Sequence, residues 1–101
     1  MNFFVVTNKH GPAWVGSRQM TEQEGWAEHA VFMNRLTDEG FVVLGGPLGD
    51  GSRAMLVVKA DSENIIKTRL AADPWIPLGL LQIDTIEPWG ILLGNERFER
   101  T

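Results

Sequence analysis

Two stretches of this chain are apolar at every position: Phe3-Phe4-Val5-Val6 and Ala54-Met55-Leu56-Val57-Val58. A strand with one wet face alternates apolar and polar residues, so strands like these need cover on both sides. They fall within a regular order of elements. Phe3 to Thr7 reads as a strand, and a helix follows from Thr21 to about Glu39. Phe41 to Leu44 and Ala54 to Lys59 are strands, a second helix runs from Asp61 or Ser62 to about Ala72, and Leu80 to Glu87 is a last strand. The order βαββαβ is the ferredoxin-like split motif. Right-handed crossovers put strands one and three in the centre and both helices on one face. Two helices cover one face only, and the simplest cover for the other is a second copy. The expected architecture is therefore α+β, ferredoxin-like βαββαβ, assembled as a homodimeric α/β barrel in which the chain is its own partner.

Local signals punctuate these elements. Thr21-Glu22-Gln23-Glu24 fits a capping box with Thr21 as N-cap. Gly40 suits a left-handed helix stop, and Pro74 halts the second helix. Asn8 to Met20, with Gly11-Pro12, Gly16 and Ser17, reads as a long loop. Pro47 to Ser52 reads as a turn, with Asp50-Gly51 a typical hairpin dipeptide. At 101 residues the chain is expected to form a single domain, 1–101, with 91–101 as a C-terminal extension.

Composition excludes several functions. The net charge is −4 and there is no long basic run, which argues against nucleic acid and anionic membranes as partners. Without cysteine there is no thiol nucleophile, disulfide or cysteine metal site. No histidine pair has ligand spacing, so no metal and no cofactor is expected. The first residues lack a basic segment, no apolar run approaches ~18 residues, and the expected location is cytoplasmic.

Topology brings separated residues together. The first helix starts, and the second ends, at the end of the sheet where the Asn8–Met20 loop and Gly45-Gly46-Pro47 leave their strands. His29 shares a helical face with Trp26, Met33 and Leu36. Asp73 follows Ile66 and Leu70 at helical spacing, so it extends a buried stripe. A carboxylate at a helix C-terminus opposes the macrodipole by a few tenths to ~1 kcal/mol, which suggests a specific partner. His29 is that partner. A carboxylate on one ring nitrogen fixes the tautomer and makes the other nitrogen a better base. Trp75, beside Asp73, and Trp14, in the loop, are the tryptophans placed to line a pocket. Gly45-Gly46-Pro47 reads first as hairpin geometry. Its missing side chains would also let a ligand approach Gly46 and Pro47 and their backbone.

Together, Glu28-His29-Ala30 with Leu36 and Gly40, then Gly45-Gly46-Pro47-Leu48, Gly51, Asp73-Pro74-Trp75 and Glu87-Pro88-Trp89, resemble the YciI-like (YCII-related) proteins. The resemblance covers roughly positions 3 to 89. It implies a ferredoxin-like dimeric barrel whose His–Asp active site falls on His29 and Asp73. One branch of the family is linked to dehydrochlorination of a chlorinated hydroquinone. Members often carry a basic residue a few positions before the histidine. Here Met20 to Glu28 has none, and Arg18 is the nearest.

The expected function is a cofactor-free lyase or isomerase that transfers a proton on a small aromatic or enolisable substrate. His29 is then the acid or base, Asp73 orients it, and Gly46 and Arg18 receive negative charge. The alternatives are a dimeric small-ligand-binding or sensor protein without catalysis, and a structural dimer with a satisfied polar pair. A free ring nitrogen of His29 facing an open pocket separates the first reading from the others.

Overall fold

A computed structural model describes residues 2–94. Four antiparallel strands, β1 (Asn2–His10), β2 (Val42–Leu48), β3 (Arg53–Ala60) and β4 (Leu81–Pro88), lie in the order β2-β3-β1-β4. Two helices, α1 (Trp26–Asp38) and α2 (Glu63–Leu70), complete the ferredoxin-like α+β fold expected from the sequence. Between helices and sheet, Phe4 and Val6 of β1 pack with Leu56, Val58 and Ala60 of β3, Leu36 of α1, and Ile66 and Leu70 of α2. The alternate residues of β1 and β3, Val5 and Met55 among them, take the opposite face, as the two-residue period of a strand requires. Among the described residues, no helix is long and apolar enough to cross a membrane.

Element boundaries depart from the sequence reading at four places. β1 runs three residues further than Thr7, because Asn8, Lys9 and His10 pair with Ala54 and Arg53 on one side and with Ile83, Gln82 and Leu81 on the other. Backbone pairing overrides the polar, loop-like side chains. β2 likewise passes through Gly45-Gly46-Pro47, opposite Leu56, Met55 and Ala54, so this segment is strand and the turn is Gly49 to Ser52. Pro47 is tolerated because β2 is an edge strand. Gly45 is closely packed: a Cβ there would lie 2.5 Å from Leu56 Cδ2 and 3.0 Å from the Met55 carbonyl oxygen, so the Leu56 side chain would have to shift.

The capping box is displaced. Glu22 Oε1 accepts from the Gln19 backbone N–H at 2.9 Å, closing a 3-10 turn at Met20–Glu22, while α1 begins after Gly25, whose φ is +72°. Finally, α2 ends at Leu70 rather than Ala72, so Asp73 sits in the turns beyond it and is further from the macrodipole than expected.

Other signals hold. Gly40, at φ +81°, ends α1, with Phe41 N–H donating to the Leu36 carbonyl at 3.0 Å. Ser62 caps α2 through its hydroxyl oxygen, which accepts from Ile65 N–H at 3.3 Å. Arg69, in the last turn of α2, meets Glu39, just past the end of α1, at 2.6 Å and lies over the Phe41 ring, tying the two helices together. Ile91 to Leu93 form no strand, and positions 95–101 of the expected C-terminal extension lie outside the described residues.

Candidate active site

The upper end of the sheet is where β1 and β2 finish, α1 starts and the chain leaves α2. The loop from Gly11 to Gly25 folds over this end. Gly11 N–H donates to the Leu80 carbonyl at 3.0 Å and Ala13 N–H to the Gly79 carbonyl at 2.9 Å. A Cβ on Gly11 would stand 2.2 Å from the Gly79 oxygen, so only glycine permits this approach. Gln23, 3% exposed, clasps the loop from beneath: Oε1 accepts from Val15 N–H at 3.1 Å, and Nε2 donates to the carbonyls of Val15 at 2.8 Å and Arg18 at 3.2 Å.

His29 and Asp73 meet under this loop. Nδ1 of His29 lies 2.9 Å from Oδ1 and 2.8 Å from Oδ2 of Asp73, so one N–H faces both carboxylate oxygens. A carboxylate only accepts, which puts the ring proton on Nδ1 and leaves the Nε2 lone pair available. Among the described residues, Nε2 has no hydrogen-bond partner. Asp73, 2% exposed, also accepts from Trp75 N–H through Oδ1 at 2.9 Å. The turn-capping role and the histidine-orienting role are therefore both present in one side chain. The imidazole stacks on the Trp75 indole, with centroids 3.8 Å apart and planes 7° from parallel. Trp75 is held in turn by Nε1, which donates to the Glu24 carbonyl at 2.7 Å. With one edge bonded and one face stacked, the ring has a single orientation.

That orientation places His29 in the wall of a cleft of about 760 Å³. This is within the ordinary range for a small-molecule site. Trp14, Trp26, Trp75, Arg18, Gly46 and Pro47 line the same cleft, whereas Asp73 stands behind His29 and does not. Trp14 meets Trp75 edge-on at 5.5 Å. Gly46 contributes backbone: it sits opposite Met55, and a Cβ there would meet nothing within 4 Å, so its missing side chain makes no room on the His29 side.

His10, in the stretch expected from sequence to be a loop, is half-buried at the end of β1 and stacks on Trp14 at 3.7 Å. Burial lowers its pKa from the usual histidine value, opposed by a hydrogen bond to the Gly51 backbone and by the charge of Asp50. Asp50 is held below its ordinary range by hydrogen bonds from the Ser52 side chain and N–H. Trp26, expected on the same helical face as His29, also lines the cleft. Asn8 and Gln23 escaped the sequence reading. The two-residue period Phe4-Val6-Asn8 marks Asn8 as inward, but nothing in the sequence distinguishes Gln23 from its polar neighbours. Among the described residues, no three His, Cys, Asp or Glu side chains converge to hold a metal.

No protein-family model matches this chain, and no curated protein does. Among solved structures it is similar to the 5-chloro-2-hydroxyhydroquinone dehydrochlorinase of Burkholderia phenoliruptrix AC1100, determined in complex with 2,5-dihydroxybenzoquinone. The two are 25% identical, with 87% of this chain and 93% of that chain covered and a TM-score of 0.66. The sheet order and helix placement described above are thus those of a small α+β fold already known in an enzyme.

Proposed function

We propose that this chain is a relative of the YciI-like proteins and transfers a proton on a small hydroxylated aromatic or enolisable substrate. His29 carries the proton and Asp73 is its positioning residue. One observation carries the reading: the His29 ring is fixed on one edge by Asp73 while Nε2, its other nitrogen, has no protein partner among the described residues and the ring lines a cleft. The likeness to a dehydrochlorinase supports a lyase-type reaction and a hydroquinone as substrate class.

The chemistry closes without an outside oxidant. A ring hydroxyl gives its proton to Nε2, and the imidazolium returns it to the ring carbon that bears chlorine. A second hydroxyl proton then leaves, its electron pair moves through the ring, and chloride departs. The ring becomes a hydroxybenzoquinone, the C–Cl carbon becomes C–H, and hydrogen chloride is lost. Arg18 and the Gly46 backbone line the cleft where negative charge develops on the substrate oxygens.

The test is chloride release from 5-chloro-2-hydroxyhydroquinone under anaerobic conditions. The protein should accelerate it well beyond buffer alone, and in heavy water the product should carry deuterium at the carbon that lost chlorine. Tight binding of 2,5-dihydroxybenzoquinone with no acceleration would establish the ligand-binding alternative instead.

The proposed assembly is a homodimer of one domain. The sheet face away from the helices carries Val5, Met55 and Leu44, the last 45% exposed, and a second sheet is the natural cover. Light scattering at micromolar concentration should give twice the chain mass. A single-chain mass would refute the dimer.

A further inference from the structure

The strongest unexplained group in the molecule is the side chain of Asn8. The residue is 5% exposed, and its Oδ1 is buried without a hydrogen-bond partner among the described residues. Groups of this kind are rare, because burying a carbonyl without a partner costs free energy comparable to a lost hydrogen bond. An aliphatic side chain at this position would avoid that cost, so the amide calls for a use.

Its position indicates one. Asn8 follows Phe4 and Val6 at two-residue spacing, on the face of the sheet that the helices cover. The pairing of β1 with β4 shifts between Thr7 and Asn8, where Asp84 is skipped. Such bulges re-aim side chains next to active sites. Asn8 lines the same cleft as His29. The terminal torsion of an asparagine is broad, so the carboxamide can turn its oxygen onto a ligand without moving the strand.

We propose that Asn8 is a specificity-determining substrate contact whose Oδ1 accepts a hydrogen bond from a hydroxyl of the hydroxyaromatic ring held against His29. The proposal rests on the functional reading above and adds a second polar anchor to it. His29 takes a proton at one substrate oxygen while Asn8 recognises another that keeps its proton. A ring with a halogen in place of that hydroxyl leaves the amide unpaired and is discriminated against.

Hydroquinone and 1,4-difluorobenzene, in which fluorine replaces the hydroxyls at similar size, are the probes, with affinity read from quenching of tryptophan fluorescence. The wild-type protein should favour hydroquinone, and Asn8→Leu should reduce that preference by about tenfold. Asn8→Ala, which adds no bulk, should do the same. The unfolding midpoint of Asn8→Leu should equal or exceed that of wild type, since an unpaired amide has been removed. An unchanged preference in both variants overturns the assignment of Asn8 alone. A steep loss of stability in both also overturns it, by showing the amide to be structural. Binding of neither probe by the wild type overturns the hydroxyaromatic reading as well.

Discussion

Trp75→Ala should lower folding stability by about 3–5 kcal/mol in urea unfolding, the ordinary cost of truncating a buried aromatic. Trp75 is 2% exposed and joins four parts of the upper end. Its ring stacks on His29 and meets Trp14 edge-on, and its Nε1 donates to the Glu24 carbonyl. Its own carbonyl accepts from Leu80 and Leu81 at 3.0 and 3.3 Å, where β4 begins. In a chain of this length the loss corresponds to a melting shift on the order of 15 °C or more. Trp75→Phe keeps a ring against His29 and loses the indole donor, so about 1–2 kcal/mol is expected. A cost below ~1 kcal/mol for the alanine variant would mean that the loop is held by other contacts.

The fold was readable because its signals are redundant. The all-apolar runs at Phe3–Val6 and Ala54–Val58 could only be central strands, and Gly40 and Ser62 mark helix ends by local chemistry that tertiary packing leaves in place. The approach of His29 to Asp73 followed from topology, since antiparallel helices on one face bring the start of one beside the end of the other.

What sequence could not supply was the outcome of competition between local preference and pairing. Asn8, Lys9 and His10 look like a loop, and Gly45-Gly46-Pro47 looks like a turn. Both are strand, because the partner β3 offers a continuous ladder from Arg53 to Ala60. The same competition hid part of the site. An asparagine at the end of an apolar run reads as a turn residue, and only the extension of β1 turns it into a buried group in the cleft. Gly25 was equally silent: a left-handed glycine opening α1, rather than the Thr21 box, sets where the helix begins and hence how His29 is presented.

Proton transfer by His29 is read from the rate of chloride release by His29→Gln beside wild type. A glutamine amide can still donate to Asp73, so the buried carboxylate keeps a partner, but it offers no basic nitrogen to the cleft. General acid–base catalysis contributes about 10²–10⁴-fold. A loss of that size is expected in His29→Gln, with hydroquinone affinity within a few-fold of wild type and an unchanged far-ultraviolet spectrum. Turnover within about threefold of wild type would contradict it, and would leave His29 and Asp73 as a polar pair that holds the upper end of the fold together.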